Sequence, residues 1–174
     1  MRRLIIAGFI ALASMLTACV PAPAPDAISL GDSVGWQIGA LLPGENYAVG
    51  GSTVCDTAAD LPPVERKVFI HAAGHSWGQY DAATAQACLL HIIDHYHDKQ
   101  VYVATTPQPM AIFCLWGDYE ADTRLKDFDA WKRTITRPNV HLVELNGIGV
   151  GADCTHLTEQ GAATAAARVQ AKGF

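Results

Sequence analysis

The chain has 174 residues and a formal net charge of −5, from 12 Lys+Arg against 17 Asp+Glu. That length suits one ordinary domain and is short for two. Half of the residues are hydrophobic and 17% are charged, which is too apolar for a disordered chain, and the sequence has no basic run of the kind that marks a nucleic-acid footprint.

In chain order, Met1-Arg2-Arg3 is a short basic start, and Leu4 to Leu16 is an almost wholly apolar run that ends at Thr17-Ala18-Cys19. This is the layout of a secretory signal, and the run is short for a bilayer span. Leu16-Thr17-Ala18-Cys19 also resembles the bacterial lipobox, in which the Cys is lipidated and becomes the first residue. The expected division is a signal over 1–18, lipidated Cys19 with a stiff Pro/Ala tether over 19–26, and one domain over 27–174. Cleavage would leave 156 residues and, with two Arg lost, move the net charge from −5 to −7. It would also leave four cysteines (Cys55, Cys88, Cys114 and Cys154) in an oxidising compartment, where two disulfides are the default.

The domain alternates strand-like and helix-like stretches. Ala27 to Leu30 reads as a strand ending at Gly31, and Val34 to Leu42 as a helix stopped by Pro43-Gly44. Tyr47-Ala48-Val49 reads as a second strand and Val68 to Ala72 as a third. Residues 80–98 form the longest helical pattern, with Ala83, Ala87, Leu90 and Ile93 on one face and His91, His95 and Asp98 on another. Val101 to Ala104 is the fourth strand, a helix follows over about 119–134, and Val140 to Val143 is the fifth strand. An alanine-rich helix over about 158–171 closes the chain. Short strands each followed by a helix indicate a parallel sheet covered on both faces, an α/β/α sandwich of the flavodoxin-like, five-stranded kind. Such sheets bind ligands beyond the carboxyl ends of their strands.

Chemistry is therefore sought just after each strand. Ser33, in Gly31-Asp32-Ser33-Val34-Gly35, stands at the first strand-to-helix turn, where backbone N–H groups are unsatisfied and can bind a developing oxyanion. The same five residues match G-x-S-x-G, the nucleophile elbow of α/β-hydrolases, but no earlier strands exist to build that larger sheet. Near the other end, Asp153-Cys154-Thr155-His156 places an acid and a histidine three apart before the last helix. His156 can take the serine proton while Asp153 holds its tautomer. Thr158 can separately cap the helix.

These blocks resemble the SGNH (GDSL-type) hydrolase superfamily over roughly residues 27–172. Leu30-Gly31-Asp32-Ser33 is similar to the family's first block, Asn46 to Gly51 to its second, and Asp153 with His156 to its last; the Thr105-Thr106-Pro107 turn is also similar. The resemblance implies an SGNH hydrolase fold, Ser33 as nucleophile, His156 as base and Asp153 as its orienter, with the N–H groups of Ser33 and Gly51 as oxyanion donors. The third block departs. Gly74-His75-Ser76-Trp77 has Ser76 where the family carries an Asn donor, so the donor is lost or is replaced by Ser76, His75 or Gln79. Losing one such donor costs on the order of 10²–10³ in rate.

In a 2-1-3-4-5 sheet with right-handed crossovers, the connections after strands two and three share a face. That favours Cys55 with Cys88 and leaves Cys114 with Cys154. His91 and His95, at i and i+4, could grip a metal but read better as a solvated face. Trp36 and Trp77 can line an acyl or sugar pocket or simply pack, and Trp116 and Trp131 read as core or lid packing. The expectation is an exported serine esterase that works through an acyl-enzyme on Ser33 and needs neither cofactor nor metal. It acts as a monomer on a small-molecule, lipid or glycan ester and meets the membrane through its lipid anchor. Two alternatives stay open: a cell-envelope O-acyltransferase or carbohydrate deacetylase, and a non-catalytic lipid- or glycan-binding lipoprotein.

Overall fold

The computed structural model describes residues 22–72, 81–107, 119–153 and 155–174. Five parallel strands form one sheet in the order β2-β1-β3-β4-β5. They are β1 (Ala27–Gly31), β2 (Glu45–Asn46), β3 (Lys67–His71), β4 (Gln100–Ala104) and β5 (Val140–Val143). The helices are α1 (Ser33–Gly39), α2 (Val54–Ala59), α3 (Ala82–His95), α4 (Tyr119–Lys132) and α5 (Glu159–Ala171). This is the α/β/α sandwich expected from the alternation of strand and helix patterns.

The central strands are buried on both faces, so they read as continuous apolar runs rather than alternating ones. Their side chains still divide by parity. Ile28, Leu30, Val68, Ile70, Val101 and Val103 pack with α2, α3 and α4 residues such as Val54, Leu89, Ile92 and Phe128. On the other face Ala27, Phe69, Tyr102 and Ala104 pack with Val34 and Ile38 of α1 and with Ala162, Ala165 and Val169 of α5. The terminal Phe174 closes that face edge-on against Phe69 and Tyr102.

Three expectations are corrected. The second strand is Glu45–Asn46, paired with Ile28 and Ser29, not Tyr47 to Val49. Tyr47 and Val49 still donate to Ser29 O and Gly31 O, but the amide between them, Ala48 N–H, turns to the Asn46 side chain. Helix α2 was not expected; its start is a capping box in which Thr53 and Asp56 satisfy each other's backbone N–H groups. On α3 the buried residues are Ala85, Leu89, Ile92 and Ile93, whereas Ala83 and Ala87 are exposed. The apolar periodicity there is ambiguous because alanine is tolerated on either side.

Cys55 on α2 and Cys88 on α3 form a disulfide, with their Cα atoms 5.1 Å apart. It closes a loop of sequence separation 33, for which chain entropy suggests about 3–4 kcal/mol of stabilisation. His91 and His95 are exposed on α3, and among the described residues no cluster of His, Cys, Asp and Glu could hold a metal ion. Trp131 packs on the α2–α3–α4 core and stacks on Phe128. No described helix is long and apolar enough to cross a membrane. At the amino end, Pro25 O and Asp26 O already accept bonds from Glu65, Arg66 and Lys67, so the last tether residues are tied to the segment leading into β3. The signal segment with Cys19, the Gly74-to-Gln79 block with Ser76, and Trp116, Cys114 and Cys154 lie outside the described residues.

Candidate active site

The site begins at the turn between β1 and α1. Gly31 has φ +127°, and a Cβ there would lie 1.7 Å from His71 O, so only glycine lets β1 turn this close to β3. Asp32 follows as the N-cap of α1: its Oδ1 accepts from Val34 N–H at 3.0 Å and Gly35 N–H at 3.1 Å. The same oxygen accepts from His71 Nδ1 at 2.8 Å, within a buried pair. Among the described residues His71 Nε2 has no hydrogen-bond partner. A proton placed there would be stranded, so the ring carries its proton on Nδ1 and donates it to Asp32. Ser33 is thereby set at the first position of α1, half-buried, over a rigid floor.

The opposing piece is the turn before α5. Asp153 Oδ1 accepts the N–H groups of Thr155 and His156, at 3.1 and 3.0 Å. Asp153 Oδ2 meets His156 Nδ1 at 2.7 Å. The His156 bond, with the two amides behind it, lowers the Asp153 carboxyl from 3.8 to about 2. The turn is closed by Gly151 N–H to His156 O and Thr158 N–H to Gly149 O, around a bridge between Val150 and Leu157. Gly161 of α5 lies under it; a Cβ there would be 2.2 Å from Gly149 O. Thr158 also caps α5 by accepting from Gly161 N–H, so its capping role and the acid–histidine pair coexist.

The two pieces meet at Ser33. His156 Nε2 is 3.0 Å from Ser33 Oγ, across 123 residues of sequence. Because Nδ1–H donates to Asp153, Nε2 is free to accept from the serine hydroxyl. The structure thus brings the three expected residues into one hydrogen-bonded relay at the carboxyl edge of the sheet. Gly50 lies against Ser33, with a Cβ there 3.8 Å from Ser33 Cβ, and Gly51 follows at φ +82°, with open space around it. Asn46, of the same block, donates to Trp36 O and accepts from Ala48 N–H, and so ties the Gly50–Gly51 segment to α1. Trp36, one turn beyond Ser33, is 55% exposed, and Val49 is 60% exposed; both present apolar surface beside the site instead of packing inside.

Sequence reasoning missed three features here. The Asp32–His71 pair joins residues 39 apart. Lys132 and Asp129 form a second buried pair at 3.0 Å, which holds the end of β4 through Ala104 O and Thr106 N–H. Gln37 hydrogen-bonds both backbone groups of Leu157. Its signal was available, since Gln37 is four residues after Ser33 and so shares its helix face.

The fold and the site together define an α/β/α chain with a serine–histidine–aspartate relay at its strand ends. No family model and no curated protein matches the sequence. Solved structures do match the fold. A member of the lipolytic protein G-D-S-L family from Veillonella parvula aligns with TM-score 0.62 and 15% identity over 83% of this chain and 96% of its own. A carbohydrate esterase family 3 protein from Talaromyces cellulolyticus aligns with TM-score 0.58 and 14% identity over 84% of this chain and 95% of its own. An acetyl esterase mutant with acetate ion aligns with TM-score 0.59 and 13% identity over 84% and 95%. The chain therefore shares the α/β/α fold of these structures.

Proposed function

We propose that the protein is an exported serine esterase that cleaves carboxylic esters through an acyl-enzyme on Ser33. The observation that carries this reading is the 3.0 Å contact between Ser33 Oγ and His156 Nε2, backed by the 2.7 Å contact from His156 Nδ1 to Asp153. Ser33 Oγ attacks the ester carbonyl carbon as its proton passes to His156 Nε2. The tetrahedral oxyanion is met by the N–H groups of Ser33 and Gly51. The carbon–oxygen bond to the alcohol then breaks, and His156 returns the proton to the departing oxygen. Water attacks the acyl-enzyme, giving its proton to His156, and the acid leaves as Ser33 recovers its hydrogen. Asp153 stays ionised throughout and stabilises the imidazolium. Esterases among the structures of the same fold favour the same chemistry, and the open apolar flank of Trp36 and Val49 suits an ester that binds at the surface. The basic and apolar N-terminus favours export and a lipid anchor at Cys19.

The test is hydrolysis of p-nitrophenyl acetate and longer esters by the full chain in detergent. Wild type is expected to turn over at least one of the series, and Ser33→Ala to lose about 10³-fold or more in kcat. Equal rates for the two proteins would overturn the reading. Product partition with a glycan acceptor present separates hydrolysis from acyl transfer.

A further inference from the structure

The turn that carries His156 keeps its own shape through bonds inside it, but those bonds do not place it over the nucleophile. His156 and Asp153 have side chains 45% and 46% exposed, so packing does not fix them either. Among the described residues, two side chains of α1 hydrogen-bond to this turn. One is Ser33, through the reacting contact itself. The other is Gln37, whose Nε2 donates to Leu157 O at 3.1 Å and whose Oε1 accepts from Leu157 N–H at 2.9 Å. The amide thus pairs with the backbone as a neighbouring strand would. Its orientation is determined by the pair, since a flipped amide would set N–H against N–H and oxygen against oxygen.

The geometry points to Gln37 as a positioning residue for the base. Ser33 and Gln37 stand one turn apart on the same stripe of α1, both half-buried, beside the buried Val34 and Ile38. His156 and Leu157 are adjacent in the turn. The four residues close a ring: Ser33 to Gln37 along the helix, Gln37 to Leu157 by two hydrogen bonds, Leu157 to His156 along the chain, and His156 back to Ser33. Leu157 is buried, so its apolar side chain sets the depth of the turn, while the amide pair sets its rotation over α1. A single hydrogen bond would allow a hinge; two parallel ones do not. Holding the base within attack geometry is worth large factors in rate, and a displacement of about 1 Å can cost on the order of 10²-fold.

The kinetic part of this inference rests on the esterase reading; a spectroscopic part does not. Gln37→Met keeps the side chain's length and removes both bonds. In the full chain it is expected to lower kcat on p-nitrophenyl acetate about 10–100-fold, with KM changed less than about twofold. In a His156→Ala background the same substitution should cost nothing more. The ¹⁵N signal of His156 Nε2 at pH 8 should carry the shift of a ring nitrogen that accepts from the Ser33 hydroxyl in wild type and move to that of an unbonded nitrogen in Gln37→Met, with Nδ1–H still on Asp153. A variant that only melts earlier, with kcat and the Nε2 shift unchanged, would overturn the inference; so would a rise in KM at constant kcat, which would make Gln37 a substrate contact. If wild type shows no turnover that depends on Ser33, the esterase reading fails and the Nε2 shift alone decides the role of Gln37. Should Gln37→Met not fold, Gln37→Glu keeps the acceptor for Leu157 N–H and is read in the same assays, with the same overturning results.

Discussion

The two halves of the candidate site are held in different ways. The nucleophile end belongs to the core: Ser33 follows a buried cap, Asp32, which is locked to the buried His71 between central strands. The base end sits on a half-exposed turn in which Asp153 accepts from His156 N–H, Gly151 N–H donates to His156 O and Gln37 accepts from Leu157 N–H. A buried group cannot move without losing packing on all sides, whereas the half-exposed His156 and Asp153 are held by a few polar bonds beside the one buried anchor of the turn, Leu157. Damage at the first half should therefore be felt in stability, and damage at the second in rate.

The largest expected effect breaks the base end. Asp153→Asn puts an amide where the Nδ1–H needs an acceptor, which favours the wrong tautomer of His156. The expected loss in kcat is about 10²–10⁴-fold, with the melting temperature almost unmoved. Steady-state kinetics beside a thermal melt reads both; a large fall in melting temperature would erase the contrast.

The next effect is on the nucleophile end. Asp32→Ala removes the α1 cap, about 1 kcal/mol, and strands the buried His71 Nδ1–H, about 1–3 kcal/mol. Urea unfolding should show a loss of about 2–4 kcal/mol. A loss below 1 kcal/mol would mean that the pair is not part of the rigid floor described above.

The smallest effect concerns acid. The Asp153 carboxyl is depressed from 3.8 to about 2, so its stabilising contribution is complete above 3.8 and disappears as the pH falls towards 2. Above about pH 4 Asp153 therefore stays ionised. A ¹³C titration of the Asp153 carboxyl with a midpoint near 2 fits this; a midpoint at its ordinary value would show that the bonds from His156 and the two amides do not hold in solution.

Much of the site was legible in the sequence because its parts are local. Gly31-Asp32-Ser33 follows an apolar run directly, and Asp153 captures the amides two and three residues on, which any D-x-x-H turn can do before the fold forms. The capping of α5 by Thr158 is of the same kind. Other features were not legible. Helix α2 is only six residues long, too short to show a period. The second strand reads two residues late because the paired Glu45–Asn46 of this edge strand are polar, whereas Tyr47, Ala48 and Val49 carry the apolar signal. The buried face of α3 was misjudged because alanine carries little hydrophobic signal on either side.

The amino-acid sequence by itself determined the alternation of strands and helices, the glycine turn at the end of β1 and the pairing of Asp153 with His156. Each depends on groups within a few residues of one another. Only the tertiary structure decided that His156 reaches Ser33 from 123 residues away, that His71 lies beneath the nucleophile, and that Gln37 grips the backbone beside the base. Those meetings follow from the closing of the sheet in its β2-β1-β3-β4-β5 order and from the seating of α5 against α1. No local pattern encodes the distance between side chains that the packing of separate elements brings together.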